Sequence, residues 1–189
     1  RKYGTKRVRI PEAISIEQRP LHVENRMEIG HWEGDTIVGL GQKSAIATVV
    51  ERKTRYTLIL YLKDRKSETV TYEIAKHLNN LNPELRKSMT YDNGMEMANH
   101  KWLTTQTGMD IYFTHPYSPW ERGTNENTNG LIRRYFPKKT DFNEITEQQL
   151  KKVQEKLNNR PRKVLNYKTP NYMMEIEISK IIYQNYKLN

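Results

Sequence analysis

Three carboxylates are set apart by their surroundings. Asp35 lies in Trp32-Glu33-Gly34-Asp35-Thr36-Ile37-Val38-Gly39, and Asp92 in Met89-Thr90-Tyr91-Asp92-Asn93-Gly94. Glu126 sits in the run from Pro116 to Tyr135, among small polar residues, with Arg122 and Arg133 on either side. Mg²⁺ is a hard cation that takes oxygen ligands and keeps several waters and substrate phosphates, so it needs few protein groups. Phosphodiester cleavage commonly uses two such ions about 3.5–4 Å apart, one at the attacking and one at the leaving oxygen. Three carboxylates can hold the pair if one bridges. On a chain of net charge +10, this set points to divalent metal acting on phosphate.

The charge is unevenly placed. Residues 1–9 carry five Lys/Arg and no acid, and residues 133–168 carry eleven against four acids, leaving the rest of the chain at 10 − 5 − 7 = −2. Two basic blocks on a near-neutral body attract a polyanion such as DNA; the plain alternative is a solvated lysine-rich surface. Arg160, Arg162 and Lys163 are expected to hold phosphates. With no cysteine and five scattered histidines, a disulfide framework and thiolate zinc sites are excluded. No run of about 18 apolar residues reads as a membrane span, and no N-terminal segment reads as a signal peptide.

The elements that must position these groups follow from periodicity. Arg1–Arg9 reads as a basic arm, and Ile10–Glu28, with Pro11 and Pro20, as extended chain or loop. His31–Leu40, Ser44–Glu51 and Tyr56–Leu62 are strand-like, and their short polar connections favour an antiparallel meander. Ser67 reads as an N-cap for a helix with Val70, Ile74, Leu78 and Leu81 on one face. Ser88–Tyr91 is a strand ending at Asp92, Glu96–Thr107 a helix stopped by Gly108, and Asp110–Thr114 a strand. A loop then leads into the helix holding Glu126. Thr146 caps a helix over Glu147–Asn158 with Leu150, Val153 and Leu157 at steps of three and four. The tail from Pro161 has a turn at Asn166–Pro170 and then an apolar stretch, either a terminal helix or an element that packs on a partner. The order β-β-β-α-β-α-β-α-α predicts a mixed sheet with helices on its faces.

This placement sharpens the chemistry. Period two sets Glu33 and Asp35 on one strand face, so Glu33 is an alternative ligand. Asp92 lies where a strand ends, which is where ligands bind in α/β sheets. Helical geometry puts Arg122, Glu126 and Arg133 within about 40° of one another, a face offering a carboxylate to metal and two guanidinium groups to phosphate. Each group also has an ordinary reading: Asp92-Asn93-Gly94 as a turn, Asp35 as a solvent-facing strand acid, Glu126 as half of an i,i+4 ion pair. Ser118-Pro119-Trp120-Glu121 offers one capping box for the third-carboxylate helix and Thr124 a later cap. Two starts around Gly123 suggest either a loop that orders on DNA or an ordinary rigid loop. Tyr117 and Trp120 either stack on bases or, as is commoner beside proline, pack.

The chain resembles the catalytic domain of the DDE transposases of bacterial insertion sequences, most closely the insertion-sequence-thirty family, relatives of retroviral integrases. The resemblance runs from about Arg19 to Tyr172. It rests on His31-Trp32-Glu33-Gly34-Asp35-Thr36-Ile37, Tyr91-Asp92-Asn93-Gly94-Met95-Glu96, Pro116–Tyr135 and Asn159-Arg160-Pro161-Arg162-Lys163-Val164-Leu165, with 33 residues between Asp92 and Glu126. It implies an α/β, ribonuclease-H-like fold with a mixed five-stranded sheet. It also implies Asp35, Asp92 and Glu126 as the triad for two Mg²⁺ or Mn²⁺ ions, Asp35 bridging. The implied reaction is hydrolytic nicking at element ends, followed by attack of the freed 3′-hydroxyl on target DNA. Arg122, Arg133, Arg134, Lys138, Lys139, Arg160, Arg162 and Lys163 are then expected DNA contacts, with Asn93, Asn127 and Asn129 supporting the triad or touching DNA. Residues 29–160 would be the catalytic unit, residues 1–28 a basic arm and linker, and residues 161–189 a basic turn and apolar tail. A homodimer or higher assembly in the bacterial cytoplasm, associated with the nucleoid, is expected. Met97 replaces a customary aromatic, and no helix-turn-helix precedes the first strand, so a fragment is expected. The rival readings are a nuclease of the same fold that cuts without joining, and an inactive DNA-binding or oligomerisation module.

Overall fold

The computed structural model describes residues 10–187, so the Arg1–Arg9 arm lies outside the described residues. Six strands form one sheet: β1 (Ile14–Ser15), β2 (His31–Val38), β3 (Ala45–Glu51), β4 (Thr57–Leu62), β5 (Ser88–Tyr91) and β6 (Asp110–Phe113). Their order is β1-β6-β5-β2-β3-β4. The meander β2-β3-β4 is antiparallel, and β5 and β6 run parallel to β2 and to each other. The five expected strands are present. A sixth joins them because Ile14 and Ser15 pair with Tyr112 and Phe113, a non-local contact that two residues cannot announce by periodicity.

Five α-helices join them among the described residues: α1 (Ser67–Leu78), α2 (His100–Thr107), α3 (Gly123–Ile132), α4 (Glu147–Asn158) and α5 (Pro170–Lys187). Strand alternation divides the interior in two. Trp32, Ala45, Ala47, Val49, Leu58, Leu60 and Leu62 face one way and join α1, α2 and α5 through Val70, Ile74, Leu103, Met174 and Ile181. Ile37, Ile46 and Ile59 face the other way and meet α3 and α4 through Ile132, Leu150, Val153 and Leu157. Helices therefore cover both faces, and no helix among the described residues is long and apolar enough to cross a membrane.

Local chemistry sets the ends, with some departures from expectation. Ser67 is the first residue of α1 rather than its cap; Lys66 holds the cap position without a side-chain bond. α2 begins at His100, four residues later than expected, because Met95–Met97 tightens into a 3₁₀ turn. Gly108 ends it with φ +72°, the left-handed conformation that glycine adopts at no steric cost. The apolar tail is a helix, α5, which buries Met174 and Ile181 against the first cluster.

Candidate active site

The parallel register of β2 on β5 decides what lies beside Asp35. His31 is level with Ser88 and Glu33 with Thr90; two residues further, Asp35 falls beside Asp92, just past the end of β5. Period two puts Glu33, Asp35 and Ile37 on the face covered by α3 and α4, and Asp35 is paired across β3 with Thr48. Asp92 ends its strand because its Oδ1 accepts the Gly94 backbone N–H at 3.0 Å, closing a local turn. The Asn93 side-chain amide ties that turn to the Thr114 carbonyl, just past β6.

One guanidinium joins the two aspartates. Arg122 donates to Asp92 Oδ2 at 3.1 Å and to the Gly34 carbonyl at 2.8 Å, and lies 3.4 Å from Asp35 Oδ2. Arg122 is buried, in the 3₁₀ turn Pro119–Arg122 that precedes α3. Arg133 turns back to the carbonyls of Val38 (2.7 Å) and Pro137 (3.3 Å). The expected face of one carboxylate between two phosphate-ready guanidinium groups is therefore not formed. The helix is too short to hold both arginines inside it, and each is used at one of its ends.

α3 is mainly polar, and polar contacts hold it to the sheet. Asn125 is fully buried; its backbone N–H donates to Glu33 Oε2 at 2.9 Å and its amide to the Glu33 carbonyl at 2.8 Å. The Thr48 hydroxyl lies 3.0 Å and 2.9 Å from the side-chain oxygens of Asn125 and Asn129. Asn129 donates its amide to Asp35 Oδ2 at 2.7 Å, while Asp35 Oδ1 accepts the Thr36 N–H at 2.8 Å. Sequence reading missed Asn125. Its signal was the run Thr124–Asn129, a helix with no apolar residue that nevertheless has to pack. Neither expected cap forms: Ser118 makes no capping bond, and Thr124 Oγ1 accepts from Arg55 at 2.5 Å instead. Glu121 takes the His115 backbone N–H at 2.8 Å.

Glu126 is exposed on α3, one turn before Asn129, and among the described residues its carboxylate has no hydrogen-bond or ion-pair partner. Glu33, the alternative ligand, is wholly buried, paired with Arg52 at 2.8 Å. A carboxylate that the sequence reading left out, Glu96, folds over Gly94. Burial raises its pKa, and the nearby charge of Asp92 adds to this. Asp35 is likewise raised, first by burial and then by Asp92, against the lowering effect of Arg122. Asp35 and Asp92 are thus brought together, with Glu126 on the overlying helix and outside any tight cluster. Among the described residues, one group of three His, Asp or Glu has its ligand atoms within 4.8 Å, namely His22, Glu28 and His31. It is closed by its own hydrogen bonds and by Lys87.

Of the expected DNA contacts, Arg134, Lys138, Lys139, Arg160 and Lys163 are exposed, while Arg162 is half-buried and donates to the Leu157 carbonyl at 3.0 Å. Asn127 is exposed on α3. Tyr117 and Trp120 are also exposed, at 75% and 71%, although packing was the commoner expectation for aromatics beside proline; Tyr117 lies in the loop before the 3₁₀ turn Pro119–Arg122 and Trp120 within that turn.

The integrase core domain family matches residues 25–119. The chain is 49% identical over 168 residues to the transposase InsI for insertion sequence element IS30C of Escherichia coli (strain K12), covering 89% of this chain and 44% of that protein. It is 44% identical over 171 residues to the transposase for insertion sequence element IS1086 of Cupriavidus metallidurans, covering 90% and 50%. It therefore spans about half the length of the curated relatives it matches. Among solved structures, the catalytic core domain of BIV integrase superposes with a TM-score of 0.61 at 18% identity, over 80% of this chain and 98% of that one. A chain of the simian T-cell lymphotropic virus intasome in complex with PP2A regulatory subunit B56 gamma gives 0.60 at 19%, over 76% of this chain and 53% of that one. At such identity these two establish the fold, which is ribonuclease-H-like. Strand order, family match and half-identical relatives agree, and the chain belongs to the integrase core domain family.

Proposed function

We propose that this core cuts DNA at the ends of a mobile element and joins the freed 3′-hydroxyl to target DNA, with Asp35, Asp92 and Glu126 as its metal-binding carboxylates. The observation that carries the reading is the level pairing of Asp35 and Asp92 under one guanidinium. Neighbouring carboxylates repel, and the shared Arg122 supports a site that takes up positive charge.

The donor set suits Mg²⁺ or Mn²⁺: hard oxygens only, two of them steadied by N–H donors that leave lone pairs free. Two ions bound there, as in related chemistry, would activate the attacking oxygen and neutralise the leaving one. The protein groups have separate roles. Asn129 and the Thr36 N–H orient Asp35, the Gly94 N–H orients Asp92, and Arg122 holds both against their mutual repulsion. Glu126 supplies the exposed third carboxylate from α3. Arg134, Lys138, Lys139, Arg160 and Lys163 guide the DNA backbone by charge, whereas Arg122 and Arg133 act as positioning residues. Joining two element ends calls for at least two copies of the protein, working at the nucleoid of a bacterial cell.

Calorimetric titration of Mn²⁺ into the wild type and into Asp92→Asn tests the site. Binding by the wild type that is lost in the variant supports it; equal binding in both removes Asp92 from the metal site. Incubating the protein with labelled element-end and target DNA then separates joined product from mere nicks.

A further inference from the structure

A second cleft opens on the other side of the first turn of α3. Arg26, Arg55 and Arg162 converge on it, and Gly123, Thr124 and Asn127 form its helical wall. No acidic residue lines it. The three buried arginines among the described residues are all engaged by carboxylates: Arg19 by Glu24, Arg52 by Glu33 and Glu24, Arg122 by Asp35 and Asp92. Among the described residues, Arg26, Arg55 and Arg162 have no carboxylate within ion-pair distance. Among the described residues, the Arg55 guanidinium donates to Thr124 Oγ1, at 2.5 Å, and that of Arg162 to the Leu157 carbonyl.

No carboxylate among the described residues offsets the charge gathered here. Burial, and then the charge of Arg26, bring the Arg55 pKa down to about 10. Glu33 and Glu51, the nearest counter-charges, are already committed, the first to Arg52 and Asn125 and the second to the N–H groups of Gly30, Lys53 and Thr54. Arg26 and Arg55 also hold left-handed backbones, φ 55° and 64°, a conformation that is uncommon outside glycine and asparagine. Guanidinium forks match phosphate oxygens in pairs, and the Thr124 hydroxyl and Asn127 amide are further polar groups on the wall.

We infer that Arg26, Arg55 and Arg162 seat a backbone phosphate of the DNA strand that runs past Glu126. The inference rests on the DNA-cutting reading above. The two clefts flank the start of α3, with Arg122 at the aspartates and the next residue, Gly123, at the arginines. The seated phosphate therefore belongs to the same strand as the bond held at the aspartates, and it fixes the strand's register there.

The test is the salt dependence of binding to a labelled DNA duplex, followed by anisotropy. Each lost phosphate contact flattens the log–log slope by about 0.9. Between about 50 and 200 mM salt the wild type should therefore lose about three- to fourfold more affinity than Arg26→Gln/Arg55→Gln, the loss of one phosphate contact. The exposed lysine pair Lys76→Gln/Lys101→Gln should keep the wild-type slope. Val164→Glu places a carboxylate at the exposed lip of the cleft without disturbing the core, and should weaken binding and flatten the slope where Val164→Gln does not; it carries the test if the arginine variants fail to fold. Unchanged slopes in the arginine and Val164→Glu variants, an equal fall in the lysine pair, or binding of inorganic phosphate but not of DNA would each overturn the cleft. Wild-type protein that does not bind DNA also overturns it, and the Mn²⁺ titration on Asp92→Asn then reports separately whether the catalytic reading survives.

Discussion

Glu33 and Asp35 stand two residues apart on the same strand face, yet their environments give them different work. Glu33 has no exposure, and a near-buried guanidinium and a backbone N–H use both its oxygens. Asp35 keeps partial exposure beside a second carboxylate. Removing one partner of a buried pair leaves the other charge uncompensated, at a cost of about 3–5 kcal/mol. Glu33→Ala is therefore expected to lower stability by that order in urea unfolding, with Glu24 at 3.4 Å from Arg52 a weak substitute. Asp35→Ala should unfold at close to the wild-type midpoint, since burial and Asp92 disfavour its charge; a larger loss from Asp35→Ala than from Glu33→Ala would reverse the assignment. Gly34 between them is required for space: a Cβ there would run into the Tyr91 ring, which is fully buried and cannot yield. Gly34→Ala should cost about 1–3 kcal/mol as overpacking, read in the same unfolding experiment. Period two revealed the shared face but not which acid faced Arg52, because Arg52 arrives from the turn after β3 by tertiary folding.

At the level of elements, α4 and α3 contrast. α4 was legible to the residue because its signals are local: Leu150, Val153 and Leu157 at helical steps, and Thr146 with Gln149 in a reciprocal capping box. Thr146→Ala should cost about 1 kcal/mol, measured as a shift in the thermal midpoint. α3 has glycines, threonines and asparagines, poor helix formers, and no side-chain cap. Its stability comes from Asn125 and Asn129 bonding to β2 and β3, contacts that no window of sequence contains. Asn125→Ala would strip polar groups of Glu33 and Thr48 of their partner in a dry site, each worth about 1–3 kcal/mol. It should thus destabilise more than Thr146→Ala, and a smaller effect would mean that α3 folds on local preference after all. The two-residue strand β1 was illegible for the same reason as α3: its pairing partner lies about a hundred residues away.

Across the whole molecule, the segment from Ile10 to Glu28 behaves as a strap over the sheet rather than a free linker. Ile10 enters the main core, Arg19 reaches Thr90 on β5 at 2.7 Å, and Glu28 ties the strap to His31 on β2 and to Lys87 beside β5, both at 2.7 Å. The Glu28 tie is sensitive to acid. Hydrogen bonds from His31 and then Lys87 bring the Glu28 pKa from its ordinary 4.5 to about 2. The unfolded chain therefore takes up this proton at higher pH than the folded one, and stability present above pH 4.5 is lost as pH falls towards 2. His31 acts in the same direction from a higher starting point: burial lowers its pKa, so stability begins to fall as pH drops below its ordinary 6.5. Urea midpoints followed from pH 7 downward should decline through both windows in the wild type. Glu28→Gln should start lower at pH 7 and lose less below pH 4.5, so the two curves converge in acid. Parallel curves over that range would show that Glu28 is not titrating against the strap and that the acid response lies elsewhere in the fold.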